Sequence, residues 1–234
     1  MHVMRTLYHF QASPFSRRAR LALLHKSLEV TLVDARVQPE RLEEARRLSA
    51  FKTVPLLVDA EPPAAVRAGR RRSGALVVGD STAITHYLDR AYPEGAALWP
   101  KTATDAPVTC EVTALVDLAL SSVIDLGARY HGLSSHPAWG NIQAEMVGRA
   151  QRALDALGEL VTDLPRKTVT PGGWAIADVW LFTMVAWLEG LPERAKTTAV
   201  PAQIVGLGWK LPPALGRWAD THRDRADVRA LDQP

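Results

Sequence analysis

Cysteine is almost absent, with Cys110 the only one in 234 residues. A single thiol excludes an intramolecular disulfide framework and a cysteine-based metal cluster. The seven histidines are scattered along the chain, and no glycine motif of the kind that cradles phosphate is present. Neither a metal enzyme nor a nucleotide-binding enzyme finds support in such a sequence. No apolar run approaches the about 18 residues of a membrane span. The opening MHVMRTLYHF lacks the long apolar core of a secretory signal. Internal repeats and heptad arrays are missing as well. The expectation is a cytoplasmic protein with no metal and no membrane partner.

An excess of charge is missing too. Twenty-eight basic residues against 25 acidic ones leave a formal charge of +3 and a pI near 9.2. That mild basicity suits an anionic small molecule as readily as a polymer, and it gives no ground for expecting nucleic acid. The 47% hydrophobic and 23% charged residues describe an ordinary globular chain long enough for a substantial core, in one or two domains.

The stretch around which the chain is organised is LYHFQASPFSRRARLALL, Leu7 to Leu24. An apolar and aromatic run ends at Gln11-Ala12, Ser13 and Pro14 follow, and apolar residues then recur at Phe15, Ala19, Ala22 and Leu23. This is strand, turn and helix. Ser13 is a favoured N-cap, and Pro14 suits the first helical position, where a missing N–H costs nothing. The Ser13 hydroxyl therefore sits where a helix presents free N–H groups and a partial positive charge, a place that holds an anion such as a thiolate. By itself, Ser-Pro is simply a good helix start.

Taken in order, residues 3 to 10 form a strand and Pro14 to about Lys26 a helix. Leu28, Val30 and Leu32 mark a second strand, whose apolar character suits a buried position. Pro39 opens a surface helix with Leu42, Ala45 and Leu48 on one side. Pro55–Val58 and Leu76–Val78 are strands, the second leading into a helix from Ser81 to about Arg90. The first two strands must pair in parallel through a right-handed crossover, and the last two can form a hairpin. Tyr92 to Thr104, with Pro93, Gly95 and Pro100, breaks the periodicity. Beyond it all is helical: about Asp105–Gly132, about Pro137–Asp163 with Ile142, Met146, Ala150, Leu154, Leu157 and Val161 on one face, and a buried Ile176–Glu189. Residues 192 to 213 mix short helix with loop, and an amphipathic segment carrying Leu215 and Trp218 closes the chain. The architecture expected is an α/β domain over residues 1–93, a linker over 94–104, and an all-α domain over 105–234.

Four motifs, SPFSRRARLAL, TVPLL, GDSTAITHYLDRAYP and WAIADVWLF, stand in an order and at spacings that make the chain resemble the cytosolic glutathione transferases. The resemblance covers nearly the whole chain. It implies a thioredoxin-like N-terminal domain, an all-helical C-terminal domain, glutathione as co-substrate or cofactor, and a homodimer. In the family's RxRLAL pattern, counting back seven residues from Arg20 reaches Ser13, the position of the serine or cysteine in the serine- and cysteine-type classes. Ser13 is then the thiolate-stabilising residue, and a serine there disfavours the mixed-disulfide chemistry that a cysteine would bring. Tyr8 and His9 are its rivals, because tyrosine-type members place a phenol near the end of the first strand; the alternative for both is ordinary packing. Ser16, one turn into the helix, is a second hydroxyl and ranks below Ser13.

The same resemblance assigns the rest of a glutathione site. Val54-Pro55 matches the family's cis-proline, whose preceding residue offers its backbone to the tripeptide as a strand would. Asp80 and Ser81 match the pair that holds the γ-glutamyl end, Asp80 facing the ammonium and Ser81 the carboxylate. Thr53 stands where the family has glutamine or lysine, so Lys52 or Thr53 is the contact for the glycine end. The central helix keeps the aspartate of the family's capping box at Asp178, but Ala175 replaces its hydroxyl residue, which removes a bond worth about 1 kcal/mol. Phe15, Arg129, Tyr130, His131 and Trp209 are candidates for a small hydrophobic electrophile, by position only.

The most individual feature is the stretch Ala60 to Gly74, AEPPAAVRAGRRRSG, where the family has a short connection. It reads as a solvated hairpin loop, or as an arginine-rich contact for an anion or a partner. Three functions remain open at this stage. They are conjugation of glutathione to an electrophile, glutathione-dependent cis–trans isomerisation at the same site, and a non-enzymatic interaction module using the arginine-rich loop.

Overall fold

The computed structural model describes residues 5–50, 52–68 and 74–231. Its elements run β1 (Arg5–His9), α1 (Pro14–His25), β2 (Thr31–Asp34), α2 (Pro39–Leu48), β3 (Leu56–Asp59), α3 (Ala64–Ala68), β4 (Leu76–Gly79) and α4 (Ser81–Ala91). Seven more helices follow: α5 (Asp105–Leu133), α6 (Trp139–Thr162), α7 (Ile176–Glu189), α8 (Leu191–Ala195), α9 (Ala199–Gly206), α10 (Pro213–Asp220) and α11 (Ala226–Leu231). The chain separates into two compact units, one holding everything up to Pro100 together with the segment from Asp224, the other Lys101–Arg223.

The first unit is thioredoxin-like. Its sheet has the order β2-β1-β3-β4, with β1 and β2 parallel and the other two pairings antiparallel. Successive strand residues face opposite sides. Tyr8, Val33 and Leu56 form a core with Ala45 of α2. Leu7 and Leu57, paired across β1 and β3 and fully buried, turn the other way. On α1 and α4, which pack against each other, Leu21, Ala22, Ile84 and Leu88 are fully buried.

Three expectations change here. The second strand starts at Thr31 and lies at the sheet edge, so Leu32 keeps 37% exposure instead of being buried. Part of the presumed hairpin loop winds into α3, which carries Arg67; Arg70, Arg71 and Arg72 lie outside the described residues. The stretch read as linker is tied down as far as Trp99. Asp89 accepts the N–H groups of Leu98 (2.8 Å) and Trp99 (3.3 Å), buried Lys26 pairs with Asp89 (3.3 Å) and the Ala96 carbonyl (3.0 Å), and the Trp99 ring stacks 3.7 Å from that of His86.

The closing segment, expected to belong with the helical domain, groups with the first unit. Val228 and Leu231 are buried there, and α11 lies against α1. Asp227 fastens it, with Oδ2 3.2 Å from His25 Nδ1 and both oxygens held by the fork of Arg225 at 3.1 and 3.0 Å. Burial pushes the Asp227 carboxyl up, but the His25 and Arg225 bonds and charges outweigh it and hold the group down at about 2. Its stabilisation is therefore present above an ordinary carboxyl pKa of about 3.8 and lost as pH falls through about 2. Asp227→Asn is expected to cost about 1 to 2 kcal/mol at pH 6, discounted for solvent screening, with the difference from the parent shrinking toward pH 2. Urea unfolding across that pH range measures it, and a difference constant down to pH 2 contradicts it.

The second unit is all helical in its regular elements and centres on α7, of which only Ala186 and Glu189 escape burial. This matches the span read from the sequence to the residue. The long, largely apolar α5 runs along α6 and α7 and buries Val112, Val116, Leu120 and Val123. Glycine permits two close approaches. A Cβ on Gly127 of α5 would meet Ile204 at 2.4 Å, and one on Gly158 of α6 would meet Pro212 at 2.9 Å. Of the expected α6 face, Ala150, Leu154 and Leu157 are buried, whereas Ile142 is 41% exposed. It lines an open groove of about 330 Å³ with Leu126, Arg129, Leu133, Trp139 and Met146.

The start of α7 answers the missing hydroxyl at Ala175. Asp178, completely buried, takes the backbone N–H of Ala175 (3.1 Å) and also those of Val169 (2.7 Å) and Thr170 (3.4 Å). Only the carboxylate half of the capping box exists, and it anchors the preceding loop as well as the helix.

Candidate functional site

The sheet register assembles the candidate residues of the first unit. Tyr8 lies opposite Leu56, Leu56 opposite Gly79, and His9 opposite Asp34. The C-terminal ends of β1, β2 and β4 and the N-terminal end of β3 therefore share one edge of the sheet. The elbow Phe10–Ser13, the Val54-Pro55 peptide and the Asp80-Ser81 pair all leave the sheet at that edge. Residues 13, 54–55 and 80–81, far apart in sequence, are neighbours in the fold for this reason.

At the elbow, Ser13 is the N-cap of α1 with extended backbone (φ −77°, ψ 127°), and its Oγ accepts the Ser16 N–H at 3.3 Å. Pro14 contributes no N–H, and the Arg17 N–H bonds to the Ser13 carbonyl at 2.9 Å. The Phe15 N–H, at the second helical position, has no intrahelical acceptor. Because an N–H occupies a lone pair of the Ser13 oxygen, its own hydrogen remains to be donated elsewhere. The half-buried hydroxyl thus sits beside an open N–H and the positive end of a 12-residue helix with no acidic residue in its first turn. An acceptor carrying negative charge is the chemical complement.

The other hydroxyl and ring candidates are engaged differently. Ser16 is fully buried, and its Oγ turns back to accept the Phe10 N–H at 3.2 Å. Tyr8 is buried in the core shared with α2; burial and a hydrogen bond with Glu44 push its phenol up to about 12. His9 is 3% exposed, and burial followed by the nearby Arg20 charge pushes its imidazole down from its ordinary value. Three further contacts were not anticipated. Gln11 donates its N–H to Asp34 Oδ2 at 3.2 Å, and its side-chain oxygen accepts from Arg20. Phe15 is half-buried, with the Arg18 guanidinium 5.1 Å from its ring centre.

On the β3 side, the Val54-Pro55 peptide is cis, Pro55 is buried and Val54 half-buried, while Lys52 and Thr53 are exposed. Lys52 takes a left-handed conformation (φ 53°). On the β4 side, Asp80 has φ 71° and ψ 137°, a region that residues other than glycine seldom occupy. Such strain persists where the surrounding structure demands it, often at ligand clamps. Asp80 Oδ1 accepts both the Thr82 N–H (2.8 Å) and the Ala83 N–H (3.1 Å), which leaves Oδ2 open on an exposed residue. Ser81, 2% exposed, begins α4.

The remaining candidates belong to the helical unit. Arg129 and Tyr130 lie near the C-terminal end of α5, with Tyr130 edge-on to Trp139 (5.8 Å) and to His131 (5.6 Å). His131 Nε2 meets the Gln203 side chain at 2.8 Å. Trp209 stands apart, with its indole N–H bound to the Ile204 carbonyl at 2.7 Å. Among the described residues, His, Cys, Asp and Glu side chains do not gather in threes as a metal would require.

Residues 7–96 match the family described as glutathione S-transferase, N-terminal domain. No curated protein matches the chain. Solved structures share the fold over almost its full length. A glutathione S-transferase from Methylobacillus flagellatus with glutathione bound is 20% identical, with a TM-score of 0.67 over 98% of this chain and 100% of the other. A glutathione transferase from Pseudomonas putida, with one glutathione disulfide bound per subunit, is 16% identical, with a TM-score of 0.72 over 99% and 91%. A maleylacetoacetate isomerase from Anaeromyxobacter dehalogenans, with dicarboxyethyl glutathione and citrate in the active site, is 22% identical, with a TM-score of 0.63 over 99% and 93%.

Proposed function

Because residues 7–96 match the glutathione S-transferase N-terminal domain, we propose that this chain binds glutathione at the sheet edge, ionises its thiol at Ser13 and adds the sulfur to a small hydrophobic electrophile. The observation that carries this reading is the convergence of Ser13, Val54-Pro55 and Asp80-Ser81 on one edge through the strand register.

Each residue has a role set by its chemistry. Ser13 donates its free O–H to the thiolate, with the Phe15 N–H and the α1 terminus adding positive potential. The Val54 backbone pairs with the cysteinyl residue of the tripeptide. Asp80 Oδ2 takes the γ-glutamyl ammonium, and Ser81 at the start of α4 takes its carboxylate. Lys52 or Thr53 meets the glycine carboxylate. Arg129 and Tyr130 on α5 are candidates for the electrophile. In conjugation a carbon–sulfur bond forms as the leaving group departs with its electron pair, and the thiol proton goes to solvent. The reading also makes the working unit a homodimer.

Serine rather than cysteine at the elbow suits a second use of the same thiolate, reversible addition to a double bond followed by rotation and elimination. That reading is a cis–trans isomerase, and it regenerates glutathione where conjugation consumes it. Product analysis for net thiol loss separates the two.

Calorimetric titration with reduced glutathione near pH 7 tests the site. Saturable binding, accompanied by thiolate absorbance in the ultraviolet, is the expected result. Absence of both heat and thiolate signal contradicts it and moves attention to another thiol or to an interaction role.

A further inference from the structure

Three hydrogen bonds close a ring at the β1–α1 elbow. The Ser13 N–H bonds to the Phe10 carbonyl (3.0 Å), the Phe10 N–H to Ser16 Oγ (3.2 Å), and the Ser16 N–H to Ser13 Oγ (3.3 Å). Each of the three residues both donates and accepts, so none can reorient without breaking two bonds. Ser16 is the buried member of the ring, with no exposure, and its hydroxyl oxygen is turned back to the Phe10 N–H at the end of β1. That oxygen is occupied by the Phe10 N–H, whereas the Ser13 hydroxyl is half-buried with its hydrogen unspent. What Ser16 does is tie the first turn of α1 to the end of β1 while its N–H fixes the Ser13 rotamer.

We propose that Ser16 is a positioning residue, orienting the Ser13 hydroxyl toward the thiol through this closed ring, a role that rests on the reading of the site given above. The physical reason is the direction of a single O–H bond. With its oxygen held by the Ser16 N–H, Ser13 has one staggered arrangement in which it keeps that bond and donates outward. Removal of the Ser16 hydroxyl strands the Phe10 N–H and frees the strand end from the helix turn. Ser13 then spreads over several rotamers, and the fraction of time its donor faces the sulfur falls. A donor that is present but loosely aimed stabilises an anion less than one held in place. Affinity for the remainder of the tripeptide, which depends on Val54, Asp80 and Ser81, is untouched by this change.

The test uses the full-length protein as parent, Ser16→Ala and Ser16→Thr, the last restoring the hydroxyl. Thiolate absorbance of bound reduced glutathione is followed against pH, and binding of S-methylglutathione, which has no ionisable thiol, is measured in parallel. The expected result for Ser16→Ala is ionisation displaced to higher pH, with the thiolate fraction at pH 6.5 about three- to tenfold lower. Binding of S-methylglutathione stays within about twofold of the parent, and Ser16→Thr recovers most of the ionisation. Unchanged thiol ionisation in Ser16→Ala, with S-methylglutathione bound equally, overturns the proposal while leaving the site reading intact. Failure of S-methylglutathione to bind the parent overturns the site reading, and this proposal with it. Should the alanine variant not fold, amide exchange at Phe10 in the parent decides: protection supports the ring, and exchange at the rate of an open amide overturns it.

Discussion

Ser13→Ala is expected to lower the rate of glutathione addition to a model electrophile such as 1-chloro-2,4-dinitrobenzene by about 100-fold at pH 6.5, with much less effect at pH 9.5. A free thiol ionises near pH 8.5, so about 1% is thiolate at pH 6.5. A site that lowers that value by roughly two units, about 2.7 kcal/mol, brings half of the bound thiol into the reactive form. Loss of one well-aimed donor to an anion costs a comparable factor in other enzymes. The pH dependence has a definite sign. Above pH 9 the thiol ionises without help, so the variant catches up with the parent as pH rises. Steady-state rates across pH 5.5 to 9.5 for both proteins measure it. A pH-independent loss assigns Ser13 to binding, and no loss removes it from the chemistry. The Ser13 oxygen accepts from Ser16 and its hydrogen is uncommitted, which makes it the donor, whereas Tyr8 is buried in the core beside α2.

Asp178→Ala is expected to be the most damaging single change to stability, costing about 3 to 5 kcal/mol. It strands the N–H groups of Val169, Thr170 and Ala175 in a place where Asp178 has no exposure. Each buried donor left without an acceptor costs about 1 to 3 kcal/mol. The pH dependence again has a sign. Burial pushes the Asp178 carboxyl up to about 6, against the pull of its backbone bonds. The folded state therefore favours the protonated form, and this contribution is full below an ordinary carboxyl pKa of about 3.8 and lost as pH rises through about 6. The penalty of Asp178→Ala should thus be larger at pH 5 than at pH 8. Urea unfolding of both proteins at the two pH values checks it. A penalty under about 1 kcal/mol, or one that grows with pH, contradicts the account.

Asp178 shows how far sequence reasoning reaches. The missing hydroxyl at Ala175 was visible as a gap in a local pattern, and so was the aspartate three residues on. That the same carboxylate also gathers Val169 and Thr170 was not, because those bonds come from a loop whose path depends on the packing of α7. Elements with strong local signals were legible almost to the residue: α1 begins at Pro14, α4 at Ser81, and α7 runs from Ile176 to Glu189. The second strand was misplaced, since Leu28, Val30 and Leu32 alternate well enough for a strand, while the backbone pairing that defines β2 begins at Thr31. Its edge position, which leaves Leu32 exposed, is a matter of strand order, and an apolar run carries no information about its neighbours. The open groove beside Ile142 and the return of α11 to α1 were hidden for the same reason.

The candidate site divides in the same way. Residue types and spacing marked Ser13 and Asp80 as helix caps and Pro55 as a proline at a strand entry, because such signals are written in a few consecutive residues, and the resemblance to the glutathione transferases joined them into one site. Which hydroxyl is free to donate was decided only by the fold. Ser13, Ser16 and Tyr8 all carry an O–H near the end of β1, and a hydroxyl's availability depends on what occupies its oxygen and its hydrogen. Ser16 is turned to Phe10, Tyr8 is buried beside α2, and Ser13 keeps its hydrogen. Those partners come from burial and long-range register, energies that no short stretch of sequence contains.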